Sequence, residues 1–89
     1  MDRMPILNRL SILISHKELI EGRKLPYRVI AAETGVSTST ITAYVRQTVN
    51  RFDAQTLDAF CRYFGVQPGD ILIWTEEDPW EATRAHARQ

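Results

Sequence analysis

Side chains capable of covalent or metal chemistry are few in this sequence and poorly spaced for it. The soft ligands are His16, Cys61 and His86, and no two of them have a spacing that would bring both onto one metal ion. The acidic run Glu76-Glu77-Asp78 supplies carboxylates without an acid and a base held in separate environments. Cys61 is the only cysteine, so it makes no internal disulfide, which fits a reducing compartment such as the cytoplasm. Its place on the apolar side of a helical stretch reads as an inert core thiol. The hydroxyl run Ser37-Thr38-Ser39-Thr40 could accept a phosphoryl group, yet a helix cap followed by an exposed helix face accounts for it equally well. These residues give no reason to expect an enzyme, a metal, a cofactor or a small-molecule substrate.

Charge is more informative. Formal net charge over the 89 residues is zero, but residues 1–52 carry eight cations (Arg3, Arg9, Lys17, Arg23, Lys24, Arg28, Arg46, Arg51) against four anions. Residues 53–89 reverse the balance, with three arginines against seven carboxylates. Such asymmetry fits one surface for a polyanion and one that avoids it, or two solvated surfaces of uneven charge. The length suits one domain, and a content of 44% hydrophobic and 25% charged residues is that of an ordinary globular chain. The apolar stretch Ile12-Leu13-Ile14 is too short for a signal-peptide core or a membrane span of about 20 residues.

The elements that must position these charges follow from periodicity and punctuation. Ile6, Leu7, Leu10, Leu13, Ile14, Leu19 and Ile20 recur at mostly three- and four-residue steps, predicting a helix from about Pro5 to Glu21 that buries one stripe and stops at Gly22. Gly22-Arg23-Lys24-Leu25 is a short basic connector. Pro26 opens a second helix through Thr34 with Val29 and Ile30 inward, and Gly35 ends it. Ser37 caps a third helix reaching about Arg46, rich in threonine and so dependent on packing of Ile41, Tyr44 and Val45. Asp53 caps a fourth, with Leu57, Phe60, Cys61 and Phe64 inward and Gly65 as its stop. Pro68 to Ile73 is expected as a short fifth helix, although Ile71-Leu72-Ile73-Trp74 alone reads equally as a strand. Asp78-Pro79 would cap a last helix from Trp80 to about Arg88.

Spacing around Gly35 carries the functional signal. Ala31, four residues before it, lets two helices cross closely; Gly35 permits a sharp turn, Val36 plugs it, and Ile41 packs back on the second helix. The outer face of the third helix is then free. The stretch Ile30-Ala-Ala-Glu-Thr-Gly-Val-Ser-Thr-Ser-Thr-Ile41 resembles the helix-turn-helix of the Cro and lambda-repressor-like (XRE) family. The runs from Arg51 to Cys61 and from Phe64 to Leu72 are similar to the fourth and fifth helices of small members, so the resemblance covers about residues 6–74. It implies an all-α, compact five-helix, lambda-repressor-like domain over 1–74, with 75–89 as a tail or extra helix. It also implies sequence-specific binding of double-stranded DNA by a transcriptional regulator, a repressor or a phage- or mobile-element-type control protein, usually a homodimer.

Matched residue by residue, the resemblance makes Thr38 to Arg46 the recognition helix, with Thr38, Ser39, Thr42 and Ala43 toward base edges. It places Tyr27, Arg28, Ser37, Arg46, Gln47, Thr48, Asn50 and Arg51 at backbone phosphates. The base-facing set departs from a strong reader, since it holds no Arg, Lys, Asn or Gln for a bidentate contact. A site rich in thymine contacts is expected, with specificity from water bridges, DNA shape and half-site spacing. Arg23 and Lys24, in a connector slightly longer than in the shortest members, either extend the phosphate footprint or form a solvated turn. Trp74 and Trp80 either complete the core or form a dimer seam, and the symmetry of operator half-sites favours the seam. Zero net charge keeps open an alternative: a protein-interaction module on the same fold, such as an antitoxin-like partner-binding protein.

Overall fold

The computed structural model describes residues 6–74. In chain order they form β1 (Ile6–Asn8), α1 (Leu10–Glu21), α2 (Tyr27–Thr34), α3 (Thr38–Val45), α4 (Ala54–Phe64), α5 (Pro68–Ile71) and β2 (Leu72–Trp74). The fold is mostly helical with the five expected helices, but it is not all-α. β1 and β2 pair antiparallel, Ile6 opposite Trp74, Leu7 opposite Ile73 and Asn8 opposite Leu72. The expected sixth helix and its anchor Trp80 lie outside the described residues.

The sheet corrects both ends of the sequence reading. Helix α1 begins at Leu10, because the Asn8 side-chain oxygen accepts from the Leu10 N–H (3.0 Å) and turns the chain before the helix starts. Ile6 and Leu7, expected on the helix stripe, are strand residues. Helix α5 likewise stops at Ile71 rather than Ile73, and Leu72–Trp74 runs extended. The Arg9 N–H donates to the Ile71 carbonyl (2.8 Å), fastening the two junctions together. Antiparallel alternation then turns the main chain of Asn8 to the side of β1 away from β2.

Leu10, Ile14, Leu25, Ile30, Val36, Ile41, Tyr44, Phe60 and Ile71 form the buried core, drawn from every helix and from the connector before α2. Burying each large aliphatic side chain contributes about 1.5–3 kcal/mol. Tyr44 lies at the centre, edge-on to Phe60 (centroids 5.0 Å) and to Phe52 (5.8 Å). Leu19 and Ile20 do not join this core: they are 81% and 70% exposed, as is Ile12 at 64%. A single helical stripe about 100° wide cannot hold both pairs Leu13-Ile14 and Leu19-Ile20, and the former takes the inner face.

The end of α1 is tied to α2 and α4 by charge. Arg23 pairs with Glu21 (2.8 Å) and, through both terminal nitrogens, with Glu33 (3.1 and 3.2 Å), while the Tyr63 hydroxyl donates to the same Glu33 carboxylate. Lys17 pairs with Glu21 (2.8 Å), donates to the Tyr63 carbonyl (3.0 Å) and sits over the Tyr63 ring. The Glu18 carboxylate accepts from the Leu25 N–H (2.7 Å), which fixes the connector between α1 and α2.

Candidate nucleic-acid interface

The turn between α2 and α3 is built as its sequence predicts. Gly35 adopts φ +81° and its N–H donates to the Ala31 carbonyl (2.8 Å), a conformation that side chains with a Cβ enter only at a cost. The Val36 N–H is taken by the Thr34 hydroxyl (3.1 Å), which itself donates to the Ile30 carbonyl (2.7 Å), and the Val36 side chain is buried beneath the turn. Ser37 caps α3 by accepting from the Thr40 N–H (3.2 Å). Its hydroxyl also bonds the Thr40 hydroxyl (2.9 Å) and lies 3.2 Å from that of Ser39.

On a helix of 3.6 residues per turn, Ile41, Tyr44 and Val45 fall on one side of α3 and Ser39, Thr42, Ala43 and Arg46 toward the other, while Thr38, seven residues before Val45, lies in line with it in the exposed first turn. Burial agrees: Ile41 and Tyr44 are in the core, Thr38, Ser39 and Arg46 are exposed, and Thr42 and Ala43 are half-buried. Ser39, Thr42 and Ala43 therefore share one strip of hydroxyls and methyls that ends in the Arg46 guanidinium, with Thr38 exposed beside it at the helix start.

Helix α3 ends in a way the sequence does not signal. Gln47 takes φ +61°, the only non-glycine residue among those described with positive φ. Its N–H donates to the Tyr44 carbonyl (3.1 Å) and the Thr48 N–H to the Ala43 carbonyl (2.9 Å), the paired bonds of a Schellman stop with glutamine where glycine usually sits. The left-handed conformation costs a residue with a Cβ about 1–2 kcal/mol. The Gln47 side chain supplies an offset. Its oxygen accepts from both the main-chain and side-chain N–H groups of Asn8 (3.1 Å each), and its amide donates to the Asn8 carbonyl (2.8 Å). Asn8, 5% exposed, also donates to the Tyr44 carbonyl (3.0 Å).

The remaining expected phosphate-binding residues are differently placed. Tyr27 and Arg28 are exposed in the first turn of α2, and Thr48, Asn50 and Arg51 are exposed in the segment between α3 and α4. Arg28, Arg46 and Arg51 make no ion pair within the described residues, whereas the Arg23 guanidinium is held by Glu21 and Glu33. Arg23, read as a phosphate contact or a solvated turn, braces the helices through Glu21 and Glu33 while its side chain stays exposed. Gln47, expected at phosphate, instead has its carboxamide engaged by Asn8, and the Thr48 hydroxyl bonds the Ala43 carbonyl (3.3 Å). Sequence spacing gives no hint of Asn8, because its partner lies 39 residues away.

The family model of the Cro/C1-type HTH DNA-binding domain matches residues 9–77. The chain belongs to that family. No curated protein and no solved structure matches it. Cro/C1-type membership supports DNA binding and, through it, transcription regulation, and domains of this type are typically non-enzymatic. Burial and the nearby Asp58 and Asp70 carboxylates push the Cys61 thiol up, which favours its protonated form. Within the described residues no three His, Cys, Asp or Glu side chains come together as metal ligands, and no helix is long and apolar enough to cross a membrane.

Proposed function

We propose that this Cro/C1-type domain is a sequence-specific, double-stranded DNA-binding transcriptional repressor acting in the cytoplasm as a homodimer. The observation that carries the reading is the outer face of α3, which follows the turn at Gly35, together with the exposed arginines 28, 46 and 51, which make no ion pair among the described residues. In this reading Thr38, Ser39, Thr42 and Ala43 lie against base edges in the major groove. Tyr27, Arg28, Arg46, Thr48, Asn50 and Arg51 hold phosphates, and Ser37 adds to that set through the helix start it caps. Hydroxyls and methyls discriminate weakly, so the preferred site is rich in thymine, with shape and half-site spacing completing the specificity. Selection of bound duplexes from random DNA, followed by titration over a range of salt, tests it. Arg46→Ala with Arg51→Ala should abolish tight binding, and should lower the slope of log K against log salt by about 0.9 for each phosphate no longer neutralised. An unchanged slope, or a selected core of strict guanines, overturns it.

A second reading, a protein-interaction module on the same fold, draws on the exposed Ile12, Leu19 and Ile20 of α1. Apolar side chains so exposed on one helix are suited to a protein partner. An antitoxin-like protein that binds both a partner and DNA would use both surfaces, α1 for one and α3 for the other. Ile12→Ser with Leu19→Ser separates the two, because DNA affinity should persist while any partner is released.

A further inference from the structure

We propose that Asn8 is a positioning residue for duplex binding: from the far side of the sheet it grips Gln47 and so sets the course of the backbone from Arg46 to Arg51. The inference rests on the reading of that segment as phosphate-binding. Asn8 is nearly buried and uses every polar group it has. Its main-chain N–H and carbonyl are both bonded to Gln47, its side-chain amide to Gln47 and the Tyr44 carbonyl, and its side-chain oxygen to the Leu10 N–H. The Tyr44 carbonyl thus receives both the Asn8 amide and the Gln47 N–H, so strand and helix end converge on one backbone atom.

A glycine at position 47 would terminate α3 with less backbone strain, since φ +61° is open to it at no steric penalty. What glutamine adds is a side chain that reaches β1. The bonds lock the direction in which the chain leaves α3, and with it the placement of Arg46, Thr48, Asn50 and Arg51 relative to the base-facing strip. Gln47 therefore acts through Asn8 rather than on the phosphate.

The test uses the full chain and a duplex chosen by selection, with Asn8→Ser, Gln47→Gly and the double variant. Serine at position 8 keeps a hydroxyl able to accept from the Leu10 N–H but removes both amide donors. Gln47→Gly releases the grip, and the relief of the backbone offsets part of the cost of leaving the Asn8 polar groups unpaired, so a urea titration is used to establish that it is folded. Each single variant is expected to weaken duplex binding about tenfold, the scale of one or two missing hydrogen bonds. Each should also reduce the salt slope, which a fall in stability alone would not do. The double variant should bind less weakly than the two single effects combined, because the bond from the Asn8 side-chain amide to Gln47 is lost in both. Should Asn8→Ser fail to fold, Gln47→Gly carries the test. Additive effects, or a folded Gln47→Gly that binds with unaltered affinity and slope, overturn the inference while leaving DNA binding intact. An unaltered protein that ignores every duplex overturns the underlying reading and this inference with it.

Discussion

Tyr44 shows at the residue scale how a core position can serve shape at the expense of polarity. Its ring is edge-on to two phenylalanines, yet its buried hydroxyl has no hydrogen-bond partner among the described residues, and burial together with the Asp53 charge pushes its pKa up. An unsatisfied buried hydroxyl costs about 1–3 kcal/mol. Tyr44→Phe should therefore raise the urea midpoint, by about 1 kcal/mol of stability, and a fall of that size would mean the hydroxyl is bonded. The sequence identifies Tyr44 as inward by its spacing from Ile41, while the outward set of α3 comes from the resemblance to the family's recognition helix. It does not reveal Gln47 as a helix stop or Arg23 as a brace. A glutamine carries no turn signal, and an arginine in a glycine-lysine connector looks solvated until Glu33 from the next helix is seen beside it.

At the scale of elements, caps and stops are the most legible features. Ser37, Asp53, Gly22, Gly35 and Gly65 mark helix ends where the sequence places them, because each satisfies backbone groups within a few residues of itself. Gly35 offers a clean measure of the turn. A Cβ there would meet no atom within 4 Å, so the penalty of Gly35→Ala is conformational, about 1 kcal/mol. For a domain of this size that corresponds to a fall in Tm of about 4–8 °C. Asp53 makes its cap depend on pH. Hydrogen bonds from Thr56 hold its carboxyl below the usual carboxylate range, and Arg23 with Tyr63 does the same for Glu33. A depressed carboxyl stabilises the fold above its ordinary pKa and ceases to do so as pH falls through the lowered value. Stability should thus decline on the acid side, and Asp53→Asn, which retains an acceptor oxygen, should flatten that decline in urea titrations at successive pH values. Tyr63 has the opposite sign: burial and the bond to Glu33 push it up to about 12, so its contribution disappears as pH rises from about 10 toward that value. β1 is the illegible element, a three-residue segment that pairs only through tertiary structure and reads as part of the helix stripe, whereas β2 falls within Ile71–Trp74, which the sequence reads equally as a strand.

Across the whole molecule, the cations divide into those used internally and those left for a ligand. Lys17 and Arg23 bind the helices to one another, while Arg28 on α2, Arg46 at the end of α3 and Arg51 before α4 are exposed without an ion pair among the described residues, which the net charge of zero conceals. Trp74 is 63% exposed and so does not complete the core, which leaves the dimer seam as the use proposed for it. Sedimentation at tens of micromolar should give twice the chain mass, and Trp74→Ala should shift the protein toward the monomer with the helical content unchanged. A monomeric mass with and without DNA would remove the seam. The clasp at Asn8 also bears on how the protein behaves in a crowded solution. A two-stranded sheet has open rims that could recruit the same segment from other copies, and aggregates grow by such addition. At Asn8 the rim of β1 is already occupied by the carboxamide of Gln47, a side chain standing where another backbone would have to dock. One consequence is that Gln47→Gly, although easier on the backbone, should make the protein more prone to form fibres on long storage.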